Sequence, residues 1–136
     1  MLVKRFVFKS VPSSLFDWLS KHPKTQVVAS RVVAGEKHAI HCVNQTLKAF
    51  TNGENIASKP EIDIVLRIMG ERQISKALAA AKPGKDCVFI SWSPRAPRVW
   101  REFKAAFKPA EKPLREPSHA KLLTAMEKSA TFWLFQ

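Results

Sequence analysis

Three short apolar runs, set apart by segments of helical period, constrain this chain more than any other feature. Residues 2–8 (LVKRFVF) put Leu2, Phe6 and Phe8 on one side of a strand and Val3 and Val7 on the other. Residues 26–34 (QVVASRVVA) are rich in β-branched side chains, and Cys87–Trp92 (CVFISW) reads as a third strand. Between the runs the period changes. Leu15, Phe16, Trp18 and Leu19 predict a short helix ending near His22-Pro23. Residues 36–51 predict the clearest helix, with Ala39, Ile40, Val43, Leu47 and Phe50 as its core face. Residues 61–69 are apolar almost all round, which predicts a central, buried helix. Residues 71–81 predict another, with Ile74, Ala77, Leu78 and Ala81 inward.

After Pro97, the residues Val99, Trp100, Phe103, Ala106 and Phe107 mark an amphipathic helix. Residues 108–117, with three prolines among charges, predict an extended surface linker. A last helix starts near Pro117-Ser118 and carries Leu122, Leu123, Met126, Ala130, Trp133 and Leu134. All four glycines, Gly35, Gly53, Gly70 and Gly84, fall at the predicted joints. Strands alternating with helices predict one α/β domain over residues 1–136. Its small central sheet, mixed or antiparallel with about three to four strands, is flanked by helices.

The chain has 136 residues, is 46% hydrophobic and carries a net charge of +12. That apolar share is too high for a disordered basic tail. A folded domain with pervasive positive charge most often meets a polyanion, and nucleic acid is the leading class. No apolar run approaches the roughly 18 residues of a membrane span. The alternating MLVKRFVFK start is no secretory signal. Cys42 and Cys87 form no C-x-x-C, so a reduced, cytoplasmic setting is expected.

Chemical motifs are sparse. His38, His41 and Cys42 share one helix surface, but no carboxylate or third imidazole lies at ligand spacing nearby. They read as a helix flank of partly buried, hydrogen-bonded histidines rather than a metal site. The cysteines sit in apolar contexts, and no G-x-S-x-G surrounds a serine. Glu61 and Asp63 point to different faces of their helix. Neither a G-x-G-x-x-G nor a phosphate loop is present. The chain is therefore expected to have no catalytic residues, no cofactor and no metal.

The aromatic residues fall mainly at core spacings; Trp92, before Ser-Pro-Arg, is the least constrained and could stack on a base. The basic run Arg95, Arg98, Arg101, Lys104 and Lys108 reads as a solvated helix face. A second basic cluster is more suggestive. It joins Lys59, Arg67, Arg72 and Lys76 to the polar Asn52, Asn55, Ser58 and Gln73, near the joints at Gly53 and Gly70. Such residues hold phosphates and read base edges.

Residues 26–92 resemble a known family. Lys37-His38, His41, Asn44-Gln45, Ile56-Ala57-Ser58, Gly70 and Arg72-Gln73-Ile74 with Ala77 follow the order and spacing of the kinase-binding subunit of the KEOPS complex (TPRKB-like). The resemblance implies a small α/β protein that is not itself catalytic. It binds the small atypical kinase (ATPase) subunit of KEOPS and recruits tRNA by its single-stranded 3′ CCA end, for threonylcarbamoyl modification of the adenosine beside the anticodon. Under it, Asn55, Lys59, Arg67, Arg72, Gln73, Ile74 and Lys76 are the expected tRNA-binding residues. Ile74 is a core residue by period, yet under the resemblance it is a candidate to pack on a base or on the kinase. Two features depart from the pattern: the turn after Ala77 is displaced to Pro83-Gly84, and residues 94–117 have no counterpart. The alternative is a general basic RNA- or DNA-binding protein sharing the fold.

Overall fold

The computed structural model describes residues 1–130. Strands β1 (Leu2–Val7), β2 (Thr25–Ala29), β3 (Asp86–Ser91) and β4 (Ala110–Lys112) form one sheet in the order β2-β3-β1-β4. Every neighbouring pair is antiparallel. Helices α1 (Leu15–Ser20) and α5 (Ala96–Phe107) cover one face. Helices α2 (Glu36–Thr51), α3 (Pro60–Met69) and α4 (Ile74–Ala80) cover the other, with α6 (His119–Ala130) packed on α2 and α3. The chain is a single α/β domain.

Strand alternation divides the core in two. Leu2, Phe6 and Phe8 of β1 and its extension meet Val27, Cys87 and Phe89 on the α1/α5 side. The α5 residues Trp100 and Phe103 close this layer; the Phe6 and Phe103 rings lie edge to face at 5.0 Å. Burying each such phenyl group contributes about 1.5–3 kcal/mol. Val3, Val28, Val88 and Ile90 face the opposite way and pack on Ile64, Leu66, Ala39, Val43 and Ala77. Trp92 leans half-buried on this second core, so it is not an open stacking platform.

The predicted second strand is half as long as expected. It ends at Ala29, and Ser30–Val32 turn into a 3₁₀ helix. Ala29 pairs with Cys87, and β3 begins one residue earlier at Asp86, so Val32 and Val33 have no partner strand. Available pairing outweighs β-branched propensity there. The free edge of β2 is also closed: the Val27 amide donates to the Gln26 side-chain oxygen at 3.0 Å and the Ala29 amide to the Ala81 carbonyl at 3.0 Å.

The proline-rich 108–117 stretch is not simply a linker. Ala110–Lys112 pair with β1, matching Arg5 to Lys112 and Val7 to Ala110. Pro109 and Pro113 bracket this run, which leaves three amides free to join the ladder.

The helix 36–51 has the predicted bounds but a rotated core face. Ala39, Cys42, Val43, Thr46 and Ala49 are buried, while Leu47 is exposed and Ile40 and Phe50 are half-exposed. Small residues at this spacing let α3 and α6 approach closely, and that contact outweighs the larger apolar stripe. In α4 only Ala77 is buried; Ile74 and Leu78 stand out from the surface, contrary to their period. In α6, Leu123 is exposed. The predicted stripe members Trp133 and Leu134 lie outside the described residues.

Helix α3 is the hub, and it contains a buried ion pair. The Arg67 Nε donates to the Asp63 Oδ2 at 3.1 Å, with side chains 1% and 0% exposed. The other Asp63 oxygen accepts the amides of Ile56 and Ala57, each at 2.9 Å. Replacing Asp63 by Ala removes this carboxylate from a buried guanidinium and from two amides. Urea denaturation of Asp63→Ala is expected to show a loss of about 3–5 kcal/mol, the usual cost of breaking one side of a buried pair.

Candidate nucleic-acid interface

The predicted cluster divides into surface and interior. Lys59, Gln73, Ile74 and Lys76 are exposed, and Arg72 is half-buried on the connection between α3 and α4. Lys59 occupies the extended position before α3, with Pro60 opening the helix. Gly70 ends α3 in the left-handed conformation at φ 60°, which turns the chain toward Arg72. Gln73 stands just ahead of α4, and its amide donates to the Glu71 carboxylate at 2.9 Å. Gln73, Ile74 and Lys76 thus occupy the outer side of one short helix and its start.

Arg67 does not belong to this surface. The expectation that it supplies charge to a ligand is corrected by its burial beside Asp63. A guanidinium at i+4 from a carboxylate on a central helix is drawn inward when that carboxylate caps a loop. Asn55 is half-buried, and its Nδ2 donates to the Ala57 carbonyl at 2.9 Å, so this amide group holds the turn before α3.

Ile74 is 42% exposed, and one turn further on Leu78 is 38% exposed. Leu78 lines a groove of about 520 Å³ beside β2, together with Phe16, Ile62, Lys59 and Lys82. Phe16 is 58% exposed. The surface therefore combines an apolar strip with cations at its margin, an arrangement suited to the faces of unstacked bases and their phosphates.

The basic run on α5 is the solvated face expected of it. Arg98 pairs with Glu102 at 3.2 Å within the helix, and Lys104 lies 5.4 Å over the Trp100 ring. A different convergence of charge was not legible from spacing. Arg31, Lys85 and the pair Arg115 and Lys121, from three separate stretches of the chain, line one cavity of about 650 Å³. In its wall, Arg5 holds Asp86 through two hydrogen bonds of 3.0 and 2.8 Å. This contact keeps the Asp86 carboxyl below its ordinary pKa, against a smaller opposing effect of burial.

Of the histidine–cysteine surface on α2, His38 and Cys42 are interior and His41 is half-buried. His38 is buried, and its Nδ1 accepts the Ala34 amide at 2.9 Å, which puts the ring proton on Nε2. Cys42 donates to the Ser129 hydroxyl at 3.5 Å, and Ser129 donates in turn to Gln45, joining α2 to α6. Burial pushes the Cys42 thiol up to about 11 and the Cys87 thiol up to about 12, so both stay protonated at neutral pH. Among the described residues, no group of three or more His, Cys, Asp or Glu side chains could hold a metal ion. None of the described helices is long and apolar enough to cross a membrane.

Comparison with protein-family models finds no match, and comparison with curated proteins finds none either.

His38 sets an acid limit on the fold. Its pKa is lowered from 6.5 to about 4, first by burial and then by the neighbouring His41. Between those values the unfolded chain binds a proton that the native state refuses, so stability falls as pH drops through this window. The urea midpoint of the protein is expected to fall between pH 7 and about 4.5. His38→Gln, measured over the same range, is expected to show a flatter dependence.

Proposed function

We propose that this protein is a non-catalytic tRNA-binding subunit of the KEOPS type. In this reading it grips the single-stranded 3′ CCA end and binds the complex's small kinase subunit, in the cytoplasm, in support of threonylcarbamoyladenosine formation. It brings no cofactor to that reaction; its part is to position one substrate.

The observation that carries the reading is the exposure of Ile74 between Gln73 and Lys76. An isoleucine set outward at a helix start, with an amide and an ammonium beside it, offers an apolar seat for a base and donors for its edge and phosphate. Lys59 before α3 and Arg72 on the α3–α4 connection add charge at the two ends of α3. The motif order of residues 37–77 supports the choice of tRNA over other polyanions. The net charge of +12 supports fast, salt-sensitive capture of the tRNA body.

Gel-shift titration with intact tRNA and with tRNA lacking its CCA end checks the reading. The trimmed tRNA is expected to bind about tenfold more weakly, the loss of one or two stacked bases at about 1–3 kcal/mol each. Ile74→Glu and Arg72→Glu are expected to lower affinity for intact tRNA to a similar degree. Equal affinity for both tRNAs, with duplex DNA bound as well as either, would instead identify a general basic nucleic-acid binder. Co-purification with the KEOPS kinase subunit tests the second half of the proposal.

A further inference from the structure

We propose that the cavity under the 113–118 segment is a phosphate-binding site that engages the nucleic-acid backbone beyond the CCA contact. This second contact rests on the tRNA-binding reading above. Five cations and two carboxylates line the cavity. Arg5 and Asp86 neutralise one another in a two-bond pair. Asp86 is also acted on by Arg115, and Glu116 is the other carboxylate; even so, Arg31, Lys85, Arg115 and Lys121 leave the lining with an excess of positive charge. They come from four separate parts of the fold: the 3₁₀ turn after β2, the turn before β3, the 113–118 segment and the first turn of α6. Like charges gathered from four directions repel one another, and an anion with several acceptor oxygens relieves that repulsion.

The cavity is a built feature. Gly35, at φ 89°, lies buried beneath the crossing segment. A Cβ there would stand 2.8 Å from the Pro117 Cδ and 3.2 Å from the Arg115 carbonyl oxygen. Glycine at this place therefore lets the 113–118 segment sit close over α2, with Arg115 on the cavity lining. Leu114 packs on the core beside it and anchors the segment.

The ligand class follows from what adjoins the cavity. The Arg31 Nη2 donates to the Ala80 carbonyl at 2.7 Å. That carbonyl belongs to the last residue of α4, whose first residue is Ile74. At about 1.5 Å of rise per residue, α4 is roughly 10 Å long. A 3′ end seated at Ile74 thus has the phosphates on its 5′ side within reach of Arg31 and the cavity. The volume of about 650 Å³ accommodates a sugar-phosphate unit.

The test uses the full chain and the exposed, neutralising double variant Lys85→Ser/Lys121→Ser, with circular dichroism to show that it is folded. Its affinity for intact tRNA is expected to fall about threefold or more at low salt. The slope of log affinity against log salt is expected to shrink by roughly 0.7–0.9 per lost phosphate contact. Unchanged affinity and slope, while Ile74→Glu still weakens binding, would overturn this inference alone. If instead the double variant weakens binding while Ile74→Glu and CCA trimming have no effect, the cavity stands as a backbone site and the CCA reading fails. Calorimetry with inorganic phosphate and with ADP separates the two sources of phosphate. Saturable binding of either below about 1 mM, lost in the double variant whose tRNA affinity is intact, would reassign the cavity to a free ligand and overturn the backbone proposal.

Discussion

The Asp63 carboxylate, fully buried on α3, organises the helical side of the molecule. It accepts Arg67 on one oxygen and two loop amides, those of Ile56 and Ala57, on the other. A buried carboxylate is costly unless it is hydrogen-bonded, and these three donors serve both of its oxygens. The consequence reaches the surface. The turn of residues 52–59 is drawn against α3, which fixes Lys59 at its rim. The same helix ends at Gly70, and the chain turns there into Arg72, Gln73 and Ile74. The carboxylate therefore holds the turn that carries Lys59, although no part of it faces solvent.

The two faces of the sheet do different work. The α1/α5 side is an aromatic layer: Phe6, Phe8, Phe89, Trp100 and Phe103 form a chain of tilted and edge-to-face contacts. It packs the sheet against α5, whose Arg95, Arg98, Arg101 and Lys108 are exposed outside it. The α2–α4 side uses small and β-branched residues, which brings helices close and leaves larger side chains displaced to the outside. Ile74 and Leu78 are left at the surface by that packing, and Leu78 lines a groove beside β2 with Phe16 of α1. Because Gln26 and Ala81 occupy the outward amides of β2, the groove offers side-chain contact rather than strand addition.

Much of the architecture was legible along the chain. The alternation in LVKRFVF places Phe6 and Val3 on opposite cores, as found. The helix over 36–51 and the glycine stop at Gly70 also follow from period and capping. The failures share a cause. Period weighs side-chain size and points Leu47 and Ile74 inward, while close helix approach favours Thr46 and Ala77. The strand at 110–112 was hidden among prolines because an edge strand needs only three amides and a partner. Arg67 carries a charge that points to the surface, and it is buried because Asp63, four residues earlier, is held inside by the amides of Ile56 and Ala57.

By itself, then, the sequence determined one α/β domain, its strand and helix order, its two thiols in apolar settings and an excess of positive charge. Those properties depend on neighbours a few residues apart or on composition alone. The tertiary structure decided which cations meet. Arg31, Lys85, Arg115 and Lys121 converge only because β2, β3, α6 and the crossing segment end at one corner. It also decided that Arg67 leaves the surface and that Ile74 joins it, since both outcomes depend on how α3 and α4 pack against the rest of the fold. Charge and period are local quantities; convergence and burial are set by contacts between distant parts of the chain.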